Sequence, residues 1–266
     1  MEIKTPTRII SFVQQKGGCG KTTTVANVGA YLAGMGQRVL LVDLDSQANL
    51  TQSVGVRAEE LSHSVADLMY KPDQGVEGIV LTTPFGATGQ LDLIPASLDL
   101  AVVEADLLNH YGKEWLLDEV LSGCRDKYDF ILIDPPPSLG LFTVNALMAS
   151  TEVIIPFQCH IFSITALGQL QKTLRLVQHK NKRLQVGGVV ITLYDGRYSL
   201  SRTVLDTISE LFGPLVFDSK IGLNSKLAEA PGAGKPILYY APGSPGARAY
   251  KKLALEILER GKQFYG

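Results

Sequence analysis

The 266-residue sequence has few cysteines and no long apolar run. Its three cysteines, Cys19, Cys124 and Cys159, form no C-x-x-C pair and leave one over. This pattern argues against a disulfide framework and indicates a reducing compartment. The N-terminal residues contain no apolar signal core, no run approaches transmembrane length, and internal repeats are absent. We therefore expect a cytoplasmic protein without stable membrane association.

The formal net charge of −1 conceals an uneven distribution. Residues 1–170 carry 10 Lys and Arg against 19 Asp and Glu, whereas residues 171–266 carry 15 against 7. A basic C-terminal third on a nearly neutral protein is a candidate surface for a polyanion such as DNA. Charges spread around a solvated surface give the same count, so the count alone does not decide between the two.

Apolar runs of strand type alternate with segments of helical periodicity along the whole chain. The strand-type runs are residues 8–13, 38–43, 91–95, 128–134, 152–157 and 186–194. The helical segments are residues 23–35, 98–124 with a break at Gly112, 142–148, 163–179, 199–212, and a last helix from Ser244-Pro245 to about Arg260. This order predicts an α/β fold with a doubly wound, mostly parallel sheet flanked by helices. We expect one domain over residues 1–266, with residues 46–90 as a polar excursion.

A phosphate-binding loop, QQKGGCGKTTT, lies at residues 14–24, between the first strand and the first helix. Small residues allow backbone N–H groups to curl around an anion, Lys21 supplies a positive charge, and the Thr22 hydroxyl can hold Mg²⁺. The N-terminus of the following helix faces the phosphates. The residues expected to contact the nucleotide are Lys16, Gly17, Gly18, Cys19, Gly20, Lys21, Thr22 and Thr23.

Two positions in this loop depart from the usual phosphate-loop pattern. Gln15 stands where a glycine is usual, and Lys16 adds a second ammonium group. Because Lys21 already serves the local β- and γ-phosphates, Lys16 needs another target. We expect Lys16 to point toward a nucleotide held by another subunit, which predicts a homodimer.

Three aspartates at strand ends complete the predicted nucleotide site. Asp134 ends an apolar run, where a phosphate-loop enzyme places the carboxylate that holds Mg²⁺ through a water. Asp43 and Asp45 follow a second strand and, two positions apart on an extended chain, point the same way. Asp45 is the better candidate to orient and deprotonate an attacking water, and Asp43 can support the Mg²⁺ shell. Alternatively, one of these two is a helix cap or turn residue.

The same segments resemble the ParA/Soj partition ATPases, a family with a deviant Walker A loop. Residues 16–23, 42–49 and 134–140 are similar to its Walker A, switch I and Walker B segments, and the resemblance continues through residues 156–159, 193–197, 227–237 and 244–247. It implies a weak ATPase that binds ATP with Mg²⁺ and closes into a nucleotide-sandwich homodimer. In that state it binds duplex DNA without sequence preference, and a ParB-like partner stimulates hydrolysis and release.

The resemblance also implies roles for individual residues. Lys16 reaches the nucleotide of the other subunit, Lys21 and Thr22 hold phosphate and Mg²⁺, and Asp45 is the catalytic carboxylate. Lys16, Lys21 and Asp45 are thus the expected catalytic set, and Thr22, Asp43 and Asp134 the expected metal set. Arg197 and Lys226 fall at positions that present basic side chains to DNA in relatives.

The sequence departs from the family pattern at three places. In switch I, Ser46 and Ala48 replace a proline and a glycine, so the stiffness of this loop is expected to differ. The segment before Lys226 has lost one arginine and carries lysine for another, which weakens the expected DNA contact. His160 replaces a common glutamate, which bears on the partner interface.

A further basic cluster lies on and just after one predicted helix: Lys172, Arg175, His179, Lys180, Lys182 and Arg183. Phosphate contact needs only suitably placed cations, and no recognition helix is evident, so sequence-specific readout is not expected. The alternative is a solvated helix end, where cations interact favourably with the helix dipole.

Other function classes share the loop. A membrane-bound positioning ATPase of the MinD kind needs a C-terminal amphipathic anchor, whereas the stripe of Leu253, Ile257 and Leu258 is typical of a helix packed on its own sheet. Iron–sulfur relatives place a cysteine just after Walker B, and residues 135–141 contain none. An inactive scaffold is disfavoured because Lys21, Thr22 and Asp45 are all present. The cargo stays open between a chromosome, a plasmid and a protein assembly such as a carboxysome or chemotaxis array.

Overall fold

A computed structural model gives the fold of residues 6–159 and 161–265, with side chains described for all of these except 161–166 and 262–265. His160 therefore lies outside the described residues. Within these ranges, eight strands form one sheet in the order β3-β4-β2-β5-β1-β6-β7-β8. The strands are β1 (Arg8–Phe12), β2 (Arg38–Asp43), β3 (Leu81–Thr82), β4 (Gln90–Ile94), β5 (Phe130–Asp134), β6 (Glu152–Gln158), β7 (Gln185–Tyr194) and β8 (Val216–Gly222). Only β3 pairs antiparallel with its neighbour.

Helices separate the strands and confirm the predicted α/β class. They are α1 (Lys21–Gly34), α2 (Asn49–Ser53), α3 (Val65–Tyr70), α4 (Leu100–Asp106), α5 (Leu116–Ser122), α6 (Leu141–Ala149), α7 (Ile161–Lys180), α8 (Ser199–Phe212), α9 (Ser225–Glu229), α10 (Ile237–Tyr240) and α11 (Pro245–Tyr265). The predicted α8 bounds agree with the structure. The predicted break at Gly112 in the helical segment over residues 98–124 is confirmed: Gly112 has a positive φ, and the segment consists of α4 and α5 with short 3-10 turns between them.

Alternate residues of the central strands face two different cores, which is why these strands are apolar throughout. Ile10 and Phe12 of β1 face a core formed with α1 and α11, whereas Ile9 faces a core formed with α3, α4, α5 and α6. A third core lies under α7 and α8. Helices thus cover both faces of the sheet, as a doubly wound fold requires.

Residues 46–90 are more integrated into the fold than the prediction of a polar excursion implied. They contain α2, α3 and the edge strand β3. Val65 and Leu68 of α3 are fully buried. A capping box starts α3, because Ser64 accepts from the Ala66 N–H while the Asp67 carboxylate accepts from the Ser64 N–H.

The last helix is held on the body of the fold by its apolar stripe. Leu253 and Ile257 are fully buried against the core that contains α1. The Ser244 hydroxyl caps the helix by accepting from the Ala247 N–H, as expected, but the helix runs to Tyr265 and not to about Arg260. No helix in the described part of the chain combines the length and apolar character needed to cross a bilayer.

Candidate nucleotide site

The phosphate loop connects β1 to α1, as the sequence predicts. Gly18 and Gly20 adopt left-handed φ values of 70° and 80°, which glycine adopts without the steric cost of a Cβ. The Thr192 hydroxyl of β7 donates to the Cys19 carbonyl at 2.7 Å and anchors the loop to the sheet. Cys19 is buried, and burial raises the pKa of its thiol. The Cys19 thiol therefore stays protonated, and its side chain packs in the interior next to the loop.

A cavity of 380 Å³ opens over this loop. Its lining includes all eight predicted nucleotide-contact residues, Lys16 to Thr23, and also Asp45. The sequence-based prediction missed the residues that approach from elsewhere: Asn49, Gln52 and Ser53 around α2, Pro137, and the pair Pro231 and Gly232. Asn49, Pro137, Pro231 and Gly232 all fall within the family-like segments, a signal that could have identified them. Gln52 and Ser53 have no such signal.

Lys21 and Asp134 form a buried ion pair beside the cavity. The Lys21 ammonium donates to Oδ1 of Asp134 at 2.7 Å and also to the Pro135 carbonyl. Burial lowers the pKa of Lys21, but the Asp134 carboxylate outweighs burial, so the net direction is upward and Lys21 stays charged.

The second carboxylate oxygen of Asp134 suits a cation or its water. Oδ2 is buried and accepts no hydrogen bond from any described residue. A buried acceptor without a partner is costly, and hard divalent cations prefer oxygen ligands. Thr22 lines the adjacent cavity with its hydroxyl-bearing side chain. Thr22 and the unpartnered oxygen of Asp134 therefore fit the metal-binding role that the sequence predicts, although Asp134, like Asp43, does not itself line the cavity.

Asp43 occupies a different environment from Asp45. Its Oδ2 accepts from both the N–H and the hydroxyl of Thr51, and its Oδ1 accepts from the Asp45 N–H. The side chain is fully buried and does not line the cavity. Burial, and after it the neighbouring Asp134 carboxylate, raises the pKa of Asp43. These contacts resemble the capping and turn role considered above, and a Mg²⁺ role for Asp43 stays a prediction.

Asp45, unlike Asp43, is exposed to the cavity, and its catalytic role stays a prediction. It lines the cavity together with the phosphate loop. The Gln47 N–H donates to its Oδ1 at 3.0 Å, and its backbone is held through the Asp43 carboxylate. Asp45 therefore lines the cavity and Asp43 does not, in contrast to the expectation that both carboxylates face the phosphates.

Lys16 is half-buried in the cavity lining and contacts a neutral partner. Its ammonium donates to Oε1 of Gln158, at the end of β6, at 2.8 Å. An amide carries no charge to balance the ammonium, whereas the Lys21 ammonium is paired with the Asp134 carboxylate.

The predicted DNA-contact residues are exposed but paired with carboxylates. Arg197 is 85% exposed, and its guanidinium donates to both oxygens of Asp195. Arg197 lowers the pKa of Asp195 to about 2. Lys226 donates to Glu229 at 2.7 Å. In the second basic cluster, Lys180 and Arg183 likewise pair with acidic residues of the first 170.

Comparisons with known proteins identify the family. The sequence model of a family described as an AAA domain matches residues 7–186. The sporulation initiation inhibitor protein Soj of Bacillus subtilis is 42% identical over 255 residues, which cover 96% of this chain and 99% of that protein. The chromosome-partitioning ATPase Soj of Treponema pallidum is 42% identical over 257 residues, covering 96% of this chain and 99% of that one.

A solved structure shares the whole fold. The structure of cobyrinic acid a,c-diamide synthase from Mycobacterium smegmatis, with bound ADP and magnesium, superposes with a TM-score of 0.83. It is 36% identical and covers 97% of this chain and 96% of its own. The chain belongs to the ParA/Soj family of phosphate-loop partition ATPases.

Proposed function

We propose that this protein binds ATP and Mg²⁺ in the 380 Å³ cavity, dimerises in the ATP state, and then binds duplex DNA without sequence preference. A ParB-like partner stimulates a slow hydrolysis that releases the DNA, and the protein works in the cytoplasm on the nucleoid. The observation that carries the proposal is that one cavity is lined by the phosphate loop, Asp45 and Lys16, whose ammonium contacts the neutral Gln158 amide and no described carboxylate.

Within the site, each side chain has a distinct task. The loop N–H groups and Lys21 hold the phosphates, and Thr22 and Asp134 hold Mg²⁺, which supplies charge neutralisation on the phosphate oxygens when bound. Asp45 orients the attacking water and accepts its proton. Asp43 orients Asp45 through the Asp45 N–H.

Dimerisation follows from the two lysines of the loop. Lys21 is buried and paired with its own Asp134, whereas Lys16 is half-buried in the cavity lining and forms no ion pair with a described carboxylate. A lysine that is not paired with a carboxylate can contact a phosphate held by a second subunit. Lys16 of each protomer then contacts the nucleotide of the other, so that ATP holds the two together.

The basic C-terminal third supplies the DNA surface. Residues 171–266 carry 15 Lys and Arg against 7 Asp and Glu, and Arg197 and Lys226 are exposed within it. A dimer doubles the phosphate contacts of a monomer, and each contact steepens the salt dependence of binding. ATP therefore raises the affinity for DNA, because the dimer presents more cations to the DNA than the monomer does.

A gel shift on two unrelated duplexes, with ATP, ADP and no nucleotide, tests the proposal. The Asp45→Ala variant holds the ATP state, and its DNA complex is expected to form only with ATP and equally on both duplexes. Binding that ignores nucleotide, or that requires one DNA sequence, contradicts the mechanism. Absence of DNA binding would indicate that the ATP state binds a membrane or another matrix. A membrane anchor in the terminal helix is disfavoured, because its apolar residues Leu253 and Ile257 are buried in the fold.

Among cargoes, chromosome or plasmid DNA is favoured over a protein assembly. The similar proteins include one named chromosome-partitioning ATPase, and the similarity extends over 96% of this chain. A protein cargo would be positioned by the same nucleotide and DNA cycle, so the gel shift does not distinguish a DNA cargo from a protein cargo. The partner protein distinguishes them: it co-purifies either with a centromere-like DNA site or with a protein assembly.

A further inference from the structure

A groove of 500 Å³ lies on the outer side of the helices that cover one face of the sheet. It lies between the end of α3, the end of α4 and the start of α5, and it shares no lining residue with the nucleotide cavity. Its lining is Met69, Tyr70, Pro72, Asp106, Leu107, His110, Tyr111, Gly112, Trp115, Leu116 and Glu119. The function proposed above uses none of these residues.

Large aromatic side chains are exposed along this groove. Tyr111 is 100% exposed, Tyr70 48% and Trp115 36%. Leu108, in the short turn between α4 and α5, is also exposed. Single exposed apolar residues are ordinary, but several gathered on one concave surface mark an interaction site, and Tyr and Trp are the residues most enriched there.

The charge of the groove indicates which charge a ligand must carry to bind there. Its charged lining consists of two carboxylates, Asp106 and Glu119, with His110 between them in sequence. The Asp106 carboxylate accepts a hydrogen bond from the Tyr70 hydroxyl and so lies across the groove from α3. The groove also belongs to the acidic part of the chain, where residues 1–170 carry 19 acidic against 10 basic side chains. A cationic ligand is complementary to such a surface, and an anionic membrane or nucleic acid is not.

We propose that this groove docks a basic amphipathic segment of a partner protein. Apolar side chains of that segment fill the space beside Tyr111 and Trp115, and its Lys or Arg side chains pair with Asp106 and Glu119.

Hydrogen bonds join α4 and the start of α5, which flank the groove, to α6, the helix that follows the Asp134 loop. Glu104 of α4 accepts from the Leu141 N–H at 3.2 Å, at the start of α6, and α6 directly follows the loop behind Asp134. Asn145 of α6 donates to the Lys113 carbonyl at 2.8 Å and accepts from the Leu117 N–H at 3.1 Å, on either side of Trp115. Binding of a ligand in the groove is therefore expected to shift α6 and, through it, the loop that follows Asp134. This coupling rests on the proposed function, in which a partner stimulates hydrolysis.

Trp115 is the single tryptophan of the chain, so its fluorescence reports on the groove. The probe is a synthetic tryptophan-free peptide of about 18 residues, made of Leu and Lys at amphipathic helical spacing. One control has the same composition in scrambled order, and a second has Glu for Lys. At roughly 0.15 M salt, which screens unspecific attraction, we expect a saturable blue shift with the first peptide and at least about tenfold weaker binding of both controls.

Tyr111→Ala and Glu119→Lys are each expected to weaken the peptide about tenfold, while Leu211→Ala, at an exposed leucine of α8, leaves it unchanged. ATP affinity, measured in parallel, stays the same in all three variants. Equal binding of the scrambled peptide, or affinity indifferent to Tyr111 and Glu119, overturns the docking site. The ATPase rate measured in the same titration is expected to rise, and an unchanged rate with peptide bound overturns the coupling alone. The gel shift described above tests the nucleotide and DNA cycle independently, so failure of that cycle is distinguished from failure of the docking site.

Discussion

The Lys21 ammonium lies 2.7 Å from Oδ1 of Asp134, and the two side chains are 7% and 0% exposed. The phosphate loop and the end of β5 are thus joined through one buried charge pair. Two residues more than a hundred positions apart reach each other because β1 and β5 are adjacent parallel strands, with Ser11 paired to Ile133. The carboxyl ends of parallel strands meet at one edge of a sheet, and this edge is where the fold collects its nucleotide chemistry.

Lys21→Ala is expected to abolish ATP binding and to destabilise the fold. The substitution removes the main charge that opposes the phosphates. It also leaves the Asp134 carboxylate buried without its partner, which costs about 3–5 kcal/mol in the free energy of unfolding. Titration calorimetry measures the first effect and urea denaturation the second. Lys226→Ala is the matched control, because its pair with Glu229 is exposed to solvent and contributes little to stability. Unchanged ATP affinity in the Lys21 variant contradicts the assignment of the loop.

Lys16→Ala and Asp45→Ala are expected to have opposite effects on the oligomeric state. Among the described residues, the Lys16 ammonium hydrogen-bonds to a neutral amide and to no carboxylate, so its loss is expected to leave the local phosphate contacts intact, and ATP still binds to a monomer. Asp45 lines the cavity, and its loss removes the group that activates water, so an ATP-bound dimer accumulates. Light scattering with ATP distinguishes the two variants. If both stay monomeric, the dimer does not depend on trapped ATP.

The nucleotide loop was predictable from sequence because its residues are contiguous and each has a local physical reason. The strands β1, β2 and β5 were predictable because burial on both faces makes them continuously apolar. By contrast, β8 was missed: it is an edge strand whose buried residues alternate with exposed Asp218 and Lys220, so it carries no apolar run.

The surroundings of Asp43 and the far wall of the cavity depend on tertiary contacts. Nothing in the sequence near Asp43 shows that Thr51, eight residues later, turns back to bind its carboxylate twice. Pro231 and Gly232 come to the cavity from beyond β8, since their segment packs on α2. Such long-range contacts leave little periodic trace in the local sequence.

Ala48→Gly is expected to stabilise the protein. Ala48 has a left-handed φ of 51° at the start of α2, where the family pattern carries glycine. The left-handed conformation costs a non-glycine residue roughly 1–2 kcal/mol, and replacement by glycine removes this strain. The greater backbone freedom of glycine in the unfolded chain destabilises the variant by roughly 0.5–1 kcal/mol and so offsets part of the gain. The net stabilisation is between about 0 and about 1.5 kcal/mol in the free energy of unfolding, measurable by urea denaturation. Ala101→Gly, at an exposed helical position of α4, should destabilise by roughly 0.5–1 kcal/mol. A loss of stability in both variants refutes strain at Ala48.

Asp195→Asn is expected to strengthen ATP-dependent DNA binding, and Arg197→Glu to weaken it. Arg197 projects into solvent with 85% exposure, but Asp195 accepts from its guanidinium and offsets its charge. Because the pKa of Asp195 is lowered to about 2, its carboxylate stays ionised throughout the working range, and acidification from about pH 7.5 to about pH 5.5 does not release Arg197. The isosteric amide removes the competing charge and leaves the arginine free to contact phosphate.

The measurement is fluorescence anisotropy of a labelled duplex across a range of KCl concentrations, with Asp45→Ala as the background that holds the ATP state. Each additional DNA phosphate that the protein neutralises steepens the slope of log affinity against log salt by about 0.9, so a dimer with two freed arginines steepens it by up to about twice that. Glu60→Gln is the matched control: it removes the same charge from an exposed pair with Arg57, in the acidic part of the chain. If Glu60→Gln raises DNA affinity as much as Asp195→Asn, the effect is one of net charge and Arg197 is not at the DNA surface. If only Asp195→Asn steepens the slope, the local arginine carries the contact.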